Sequence, residues 1–533
     1  MRWVLVAAVV LLGALLRFAG ISFGLPYHHH WDEVWITDSV AGMLRRHDTV
    51  PGSYQYGEPL MWLGELTFAV LRKLHYQSGE LTELDKQSGI YLASRIAGAL
   101  VAATGTLAVY VAARFARSGR GSAHRRGIWA ALLYAVASQL VIHARYAVTD
   151  ASLAALTAWT LAFAALYLER RKLAWGAATV AAAGVTCAFK MPGMMTMLVP
   201  LGAIGWTWLR GTGPLRSRRA HLLLLLATIP AMAAIYVLLN PHVIDRTHDA
   251  MRDLVGRYKQ TRDGGVSLVY LRTPGLPHLM SALAAIASQF PSRRVAVSLA
   301  VTTVALGGFL AEARRGSRAM VVAAAYAVCL LLSVALPNRT FLYRNYLVVI
   351  PTLCMGFGGG AVAIERVLCG RRLVSVGLAV VALAALVGWP ISDAVEAQRL
   401  EQDPRTRAFA WISAHETPQG SGDIAVTPSV FGKPAPAGFP GVRDLVLGPG
   451  VSVSEHEASS CPDGDARPPY IVDATYRDVH KAPTSEPWKE LWFFHDCPGY
   501  EEVASFTTSP QETDLDAYPT WTGRVTAVVL RRR

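Results

Sequence analysis

Asp32 and Glu33 stand side by side in His30-Trp31-Asp32-Glu33, just after the first apolar stretch of the chain. Charged groups beside a bilayer are costly to place and tend to mark functional sites. A carboxylate there can take a proton from a hydroxyl or amine nucleophile. The same pair also suits a helix N-terminus, solvated and favoured by the helix dipole. The segment continues to Tyr54-Gln55-Tyr56-Gly57-Glu58-Pro59-Leu60.

Further polar groups fall at the ends of later apolar runs. They are Arg145-Tyr146-Ala147-Val148-Thr149-Asp150, then Lys190-Met191-Pro192-Gly193, then Arg339 and Arg344 within the short stretch 337–346. Cations at a membrane surface can hold a phosphate through charge-assisted hydrogen bonds. The plainer reading is that Arg145, Lys190 and Arg344 snorkel, while Asp150 caps the alanine-rich run after it. His28-His29-His30 lacks the spacing of a zinc site. No cofactor is required by these residues; a divalent metal, if used, would draw on His30 and Glu33.

Such residues need elements to position them, and the composition says which. Of 533 residues 52% are hydrophobic and 17% charged, with a mean hydropathy of +0.31. That is too apolar for an ordinary soluble enzyme. The net charge of +13 does not indicate nucleic acid, because the basic residues cluster between apolar runs of bilayer-spanning length. The clusters lie at 114–126, 170–172, 210–219, 314–318 and 366–372, and short basic loops stay cytoplasmic. The short intervening loops are poorer in Lys and Arg.

The pattern predicts about eleven spans, near 3–22, 90–113, 127–143, 151–168, 173–190, 193–209, 221–239, 292–311, 319–336, 346–364 and 373–389. The N-terminus is then cytoplasmic, the first span is a retained anchor, and everything after Trp389 lies outside. Leu60 to Tyr76 is read as a helix at the outer interface, since a crossing there would turn all five basic loops outward.

After Trp389 prolines, glycines and acidic residues return. A small extracytoplasmic α/β domain is expected over 393–533, with a helix near 405–415 and strands at 423–427, 444–447, 470–473, 502–506 and 526–530. Residues 1–392 then form a polytopic α-helical membrane domain with its first outer loop at 24–89. Cys461 and Cys497 are the cysteines of the outer domain, and an oxidising compartment favours a disulfide between them.

In order and spacing these motifs resemble the GT-C glycosyltransferases, specifically the protein O-mannosyltransferase and aminoarabinose transferase-like family. The motifs that carry the likeness are Asp32-Glu33, the stretch ending Tyr56-Gly57-Glu58-Pro59-Leu60, the Arg145-to-Asp150 element, Lys190, Arg344 with Tyr346 and Pro351, and more weakly 404–412. The resemblance implies transfer of a monosaccharide from a polyprenyl-phosphate donor to an extracytoplasmic acceptor that is protein, lipid or glycan. It implies Asp32 as base, Glu33 as its orienter, and Asp150 as a further active-site carboxylate. Arg344, Lys190 and Arg145 would bind the donor phosphate, and His30, Tyr56 and Glu58 the substrate. One departure stands out: Gly57 or Glu58 occupies the lysine position of the Lys-Pro-Pro-Leu form found in aminoarabinose transferases.

The rival reading is a transporter or lipid-linked sugar flippase, whose charges usually sit near the membrane midplane. Here they gather at the outer helix ends. The expected location is the inner (plasma) membrane, with the bilayer and a lipid-linked sugar as partners and no nucleic acid.

Overall fold

The computed structural model describes residues 2–22, 25, 32–54, 56–75, 83–116, 122–210, 215–263, 273–287, 295–339, 343–368, 407–408 and 411–412. In the C-terminal part it also describes 424–426, 453–455, 470–477, 500–507 and 524–532.

The chain opens with α1 (Arg2–Phe18), α2 (Glu33–Arg46), α3 (Glu58–His75) and the long α4 (Glu83–Phe115). Next come α5 (Ala123–Ala135), α6 (Ser138–Ala144), α7 (Asp150–Arg170) and α8 (Leu173–Phe189). A 3-10 segment, Met191–Met197, leads into α9 (Leu198–Leu209), then α10 (Leu215–Leu239), α11 (His242–Asp245) and α12 (Thr247–Asp263). The helical part closes with α13 (Leu276–Ala287), α14 (Val295–Arg314), α15 (Arg318–Ala335), the 3-10 segment Tyr343–Val349 and α16 (Ile350–Leu368).

Two compact units result. One comprises Met1–Ile21, Trp35–Ala69 and Ala93–Val395; the other comprises Ser22–Val34, Val70–Leu92 and Glu396–Arg533.

Among the described residues five helices are long and apolar enough to cross a membrane: 88–115, 150–170, 218–239, 318–335 and 344–367. Each expected span up to 346–364 overlaps helix within its described residues, while 373–389 lies outside the described residues. The helix α7 is apolar on all sides and largely enveloped, as an element at the centre of a bundle must be. By contrast α10 is 11% buried over its most apolar window, a surface suited to lipid. α3 carries Glu58, Glu65, Arg72 and Lys73 and is not among the apolar spans.

The span expected at 127–143 is instead two helices, α5 and α6, bent by 57° at Val136–Ala137. A break frees backbone carbonyls that must find donors. Arg17, fully buried, supplies them, donating to the carbonyls of Tyr134 at 3.1 Å and Ala135 at 3.2 Å. α14 and α16 pack backbone to backbone: a Cβ on Gly308 would run into the carbonyl oxygen of Gly356, and one on Gly360 into that of Val304. Small residues permit this approach in membrane helices. At the basic-loop ends of α5 and α14, Arg126 and Glu312 form a buried ion pair at 2.6 Å.

In the second unit the described strands form one five-stranded sheet. Its members are β1 (Ile424–Val426), β2 (Val453–Glu455), β3 (Tyr470–Arg477), β4 (Tyr500–Thr507) and β5 (Arg524–Arg532), in the order β2-β1-β3-β5-β4. β1 is parallel to both its neighbours, and β5 is antiparallel to β3 and β4. β2 was not foreseen. Residues 444–447, Cys461 and Cys497 lie outside the described residues.

Candidate active site

Asp150 is the first residue of α7, where the helix dipole favours a carboxylate. α8 ends at Phe189, and Lys190 is extended before Met191-Pro192 opens the 3-10 segment. α7 and α8 pack side by side, which brings their neighbouring ends together. Lys190 Nζ donates to Asp150 Oδ1 at 2.7 Å, with side-chain exposures of 11% and 2%. The second oxygen, Asp150 Oδ2, is buried without a hydrogen-bond partner.

More positive charge reaches the same carboxylate. Arg344, nearly buried in the 3-10 segment that packs on α7, interacts electrostatically with Asp150, as does His143 of α6. The Arg344 segment is held by a histidine absent from the sequence reading. His278 Nδ1 donates to the Asn338 carbonyl at 2.7 Å, so its Nε2 accepts from the Tyr346 hydroxyl at 2.7 Å. A carbonyl acceptor fixes the imidazole tautomer in this way.

The other side of Lys190 faces the loop before α3. Lys190 Nζ lies 5.4 Å from the centroid of the Tyr56 ring, which is buried. Gly57 donates its N–H to the Phe189 carbonyl at 3.1 Å. A Cβ on Gly57 would collide with the Ala188 carbonyl oxygen, so no side chain, lysine included, fits this position. Glu58 follows with its N–H on Asn240 Oδ1 at 2.9 Å and its Oε2 2.7 Å from His242 Nδ1. Burial pushes the Glu58 carboxyl above the usual glutamate range, and contact with His242 offsets this only in part. A small pocket of about 20 Å³ is lined by Tyr54, Tyr56, Lys190, Tyr236, Asn240 and others.

Known proteins share this arrangement of elements. Residues 8–244 match the family model of dolichyl-phosphate-mannose-protein mannosyltransferase. ArnT from Cupriavidus metallidurans, solved bound to undecaprenyl phosphate, superposes with a TM-score of 0.50 at 14% identity, covering 98% of this chain and 97% of that one. The apo form of that ArnT gives 0.51 over the same coverage at 14% identity. The chain has the fold of a GT-C membrane glycosyltransferase. The archaeal oligosaccharyltransferase AglB from Archaeoglobus fulgidus also matches, with a TM-score of 0.49 at 11% identity over 89% of this chain and 69% of that one. No curated protein matches in sequence. The family-model match and the likeness to ArnT agree with the resemblance read from the motifs.

Within this GT-C fold the remaining expected residues are placed as follows. Asp32 is the turn residue before α2 and Glu33 its first residue, both buried and both within the Ser22–Val34 segment of the second unit. The buried Arg145 donates through Nη2 to the Leu16 carbonyl at 3.2 Å, near the C-terminal end of α1. His30 lies outside the described residues. Among the described residues no group of three or more His, Cys, Asp or Glu could hold a metal ion. His242, Asn240 and His278 were missed by sequence reasoning. The only signal was Asn240-Pro241, an abrupt helix stop that puts His242 just beyond it.

Proposed function

We propose that this chain transfers a monosaccharide from a polyprenyl-phosphate donor to an extracytoplasmic acceptor. The observation that carries the reading is the convergence of Lys190 and Arg344 on Asp150 at one end of α7, in a fold like that of ArnT solved with undecaprenyl phosphate. Leaving-group departure generates a phosphate anion, and a preorganised pair of cations stabilises that charge as it develops. Asp150 holds Lys190 in place for this task. Phosphate leaves readily without a general acid, so one base at the acceptor completes the chemistry. That base is Asp32, oriented by Glu33.

Tyr56 offers an aromatic face beside Lys190 for the sugar, and Glu58 supports the same loop. Arg145 is proposed for the donor phosphate as well, while its Nη2 holds the Leu16 carbonyl at the α1 end. The extracytoplasmic α/β domain, the Cys461–Cys497 disulfide, a divalent metal drawing on His30 and Glu33, and an inner-membrane location with a cytoplasmic N-terminus belong to the same proposal. The flippase reading is not favoured, because the charged residues stand at helix ends and the fold is that of a transferase family.

The test is turnover of a panel of polyprenyl-phosphate monosaccharides by the purified protein in lipid vesicles. The proposal expects at least one donor to release polyprenyl phosphate. Binding of donors without sugar release from any of them would favour the flippase.

A further inference from the structure

The geometry points to His242 as a positioning residue for the transfer, acting through Glu58 and Tyr56 to hold the donor-side Lys190. This inference rests on the reading of Lys190 as a phosphate contact.

Three consecutive residues before and at the start of α3 each have a separate tie. The Tyr56 ring lies against Lys190, the Gly57 N–H bonds the Phe189 carbonyl, and the Glu58 N–H bonds Asn240 Oδ1. Asn240 is itself anchored, donating through Nδ2 to the carbonyls of Ala188 at 3.3 Å and Tyr236 at 3.0 Å. The end of α8 and the end of α10 therefore share one loop between them.

His242 closes the arrangement. Two residues after Asn240, it reaches the carboxylate end of the residue whose backbone Asn240 already holds. Glu58 is thus gripped at both ends by one short segment of chain. Its side chain is 2% exposed, and its other oxygen, Oε1, is buried without a hydrogen-bond partner. Without the His242 ring the carboxyl would keep only the backbone N–H of residue 242, and an under-paired buried carboxyl is costly enough to drive the side chain toward water. Moving Glu58 out must move Gly57, which has no clearance against Ala188, and with it Tyr56. Lys190 then loses the ring that confines it opposite Asp150. The outward nitrogen, His242 Nε2, lies 3.5 Å from the exposed Thr49 hydroxyl, so the ring stands between a buried and a solvated partner.

Cys187 gives a readout that does not depend on turnover. It is a free cysteine lining the same pocket as Tyr56 and Lys190. In a background where it is the sole cysteine, its modification by a small maleimide at fixed pH should be about tenfold faster or more in His242→Ala, the cost expected for losing a bond to a carboxylate. His242→Asn, which places a donor near the Nδ1 position, should restore the slow rate. In turnover assays His242→Ala should raise KM for the lipid-linked donor by about the same factor and leave KM for the acceptor unchanged. Slow labelling in both variants with unaltered donor KM would overturn the role of His242. Fast labelling in His242→Ala and slow labelling in His242→Asn would establish the strap even if no donor in the panel is turned over, a result that would count against the transferase reading alone.

Discussion

Lys190 Nζ and Asp150 Oδ1 are 2.7 Å apart, forty positions apart in sequence, and together almost closed off from solvent. Burying two charges is offset only when each satisfies the other, so removing one partner is worse than removing both. Lys190→Met should destabilise the protein, by less than the about 3–5 kcal/mol of a fully unpaired buried charge, because Asp150 loses its hydrogen-bonded partner while Arg344 and His143 still act on it. Asp150→Asn combined with Lys190→Met should recover much of that loss. Thermal unfolding in one detergent across the four-member cycle would measure the coupling. Additive losses would show that the pair is not a functional unit of the fold.

Arg344 allows the proposed donor role to be tested apart from the acceptor. Its guanidinium adds positive charge at Asp150 from a 3-10 segment pinned by His278 and Tyr346. Arg344→Ala should raise donor KM by about tenfold or more, the loss expected for one charge-assisted bond. Acceptor KM should hold. Steady-state kinetics with each substrate varied in turn would decide it, and equal effects on both would remove Arg344 from the phosphate.

Much of this was legible in the sequence. Asp150, Lys190 and Arg344 stand out because polar residues at the ends of apolar runs need a reason to be there. Their mutual distances were not legible, since helix packing alone brings the ends of α7 and α8 together. The bend between α5 and α6 escaped notice because no proline or glycine marks it; Arg17, far away in sequence, stabilises it. The long strands β3, β4 and β5 were foreshadowed by runs of β-branched and aromatic residues, whereas β2 is three residues long and carries no period to read. His242 sits at a helix stop, where no periodicity predicts a partner.

Glu58 gives a pH prediction. Its folded-state pKa lies above the ordinary value of 4.5, chiefly through burial. The protonated form therefore favours the fold: this contribution is fully present below the ordinary value and is lost as pH rises through the raised one. Glu58→Gln mimics the protonated side chain and should lack that loss. The Tm of the variant minus that of the parent should grow from pH 4 toward pH 7.5. A constant difference across that range would contradict the burial of an ionisable carboxyl at this position.

Orientation can be tested at exposed sites. The basic-loop rule places His248 outside and Lys172 inside, and both are exposed. A single cysteine at 248 should react with an impermeant thiol reagent in intact cells, and one at 172 only after lysis. The reverse pattern would put the Asp150–Lys190 site on the cytoplasmic face.

Lipid-phosphate sugar transfer with Asp32 as base is tested most directly by one comparison. In vesicles, polyprenyl phosphate released from the best donor should match the sugar gained by the acceptor, one for one. Asp32→Asn keeps the shape of the side chain and removes its basicity, so the account predicts a rate lower by about two orders of magnitude with the protein still folded and inserted. Near-parental transfer by Asp32→Asn would contradict it.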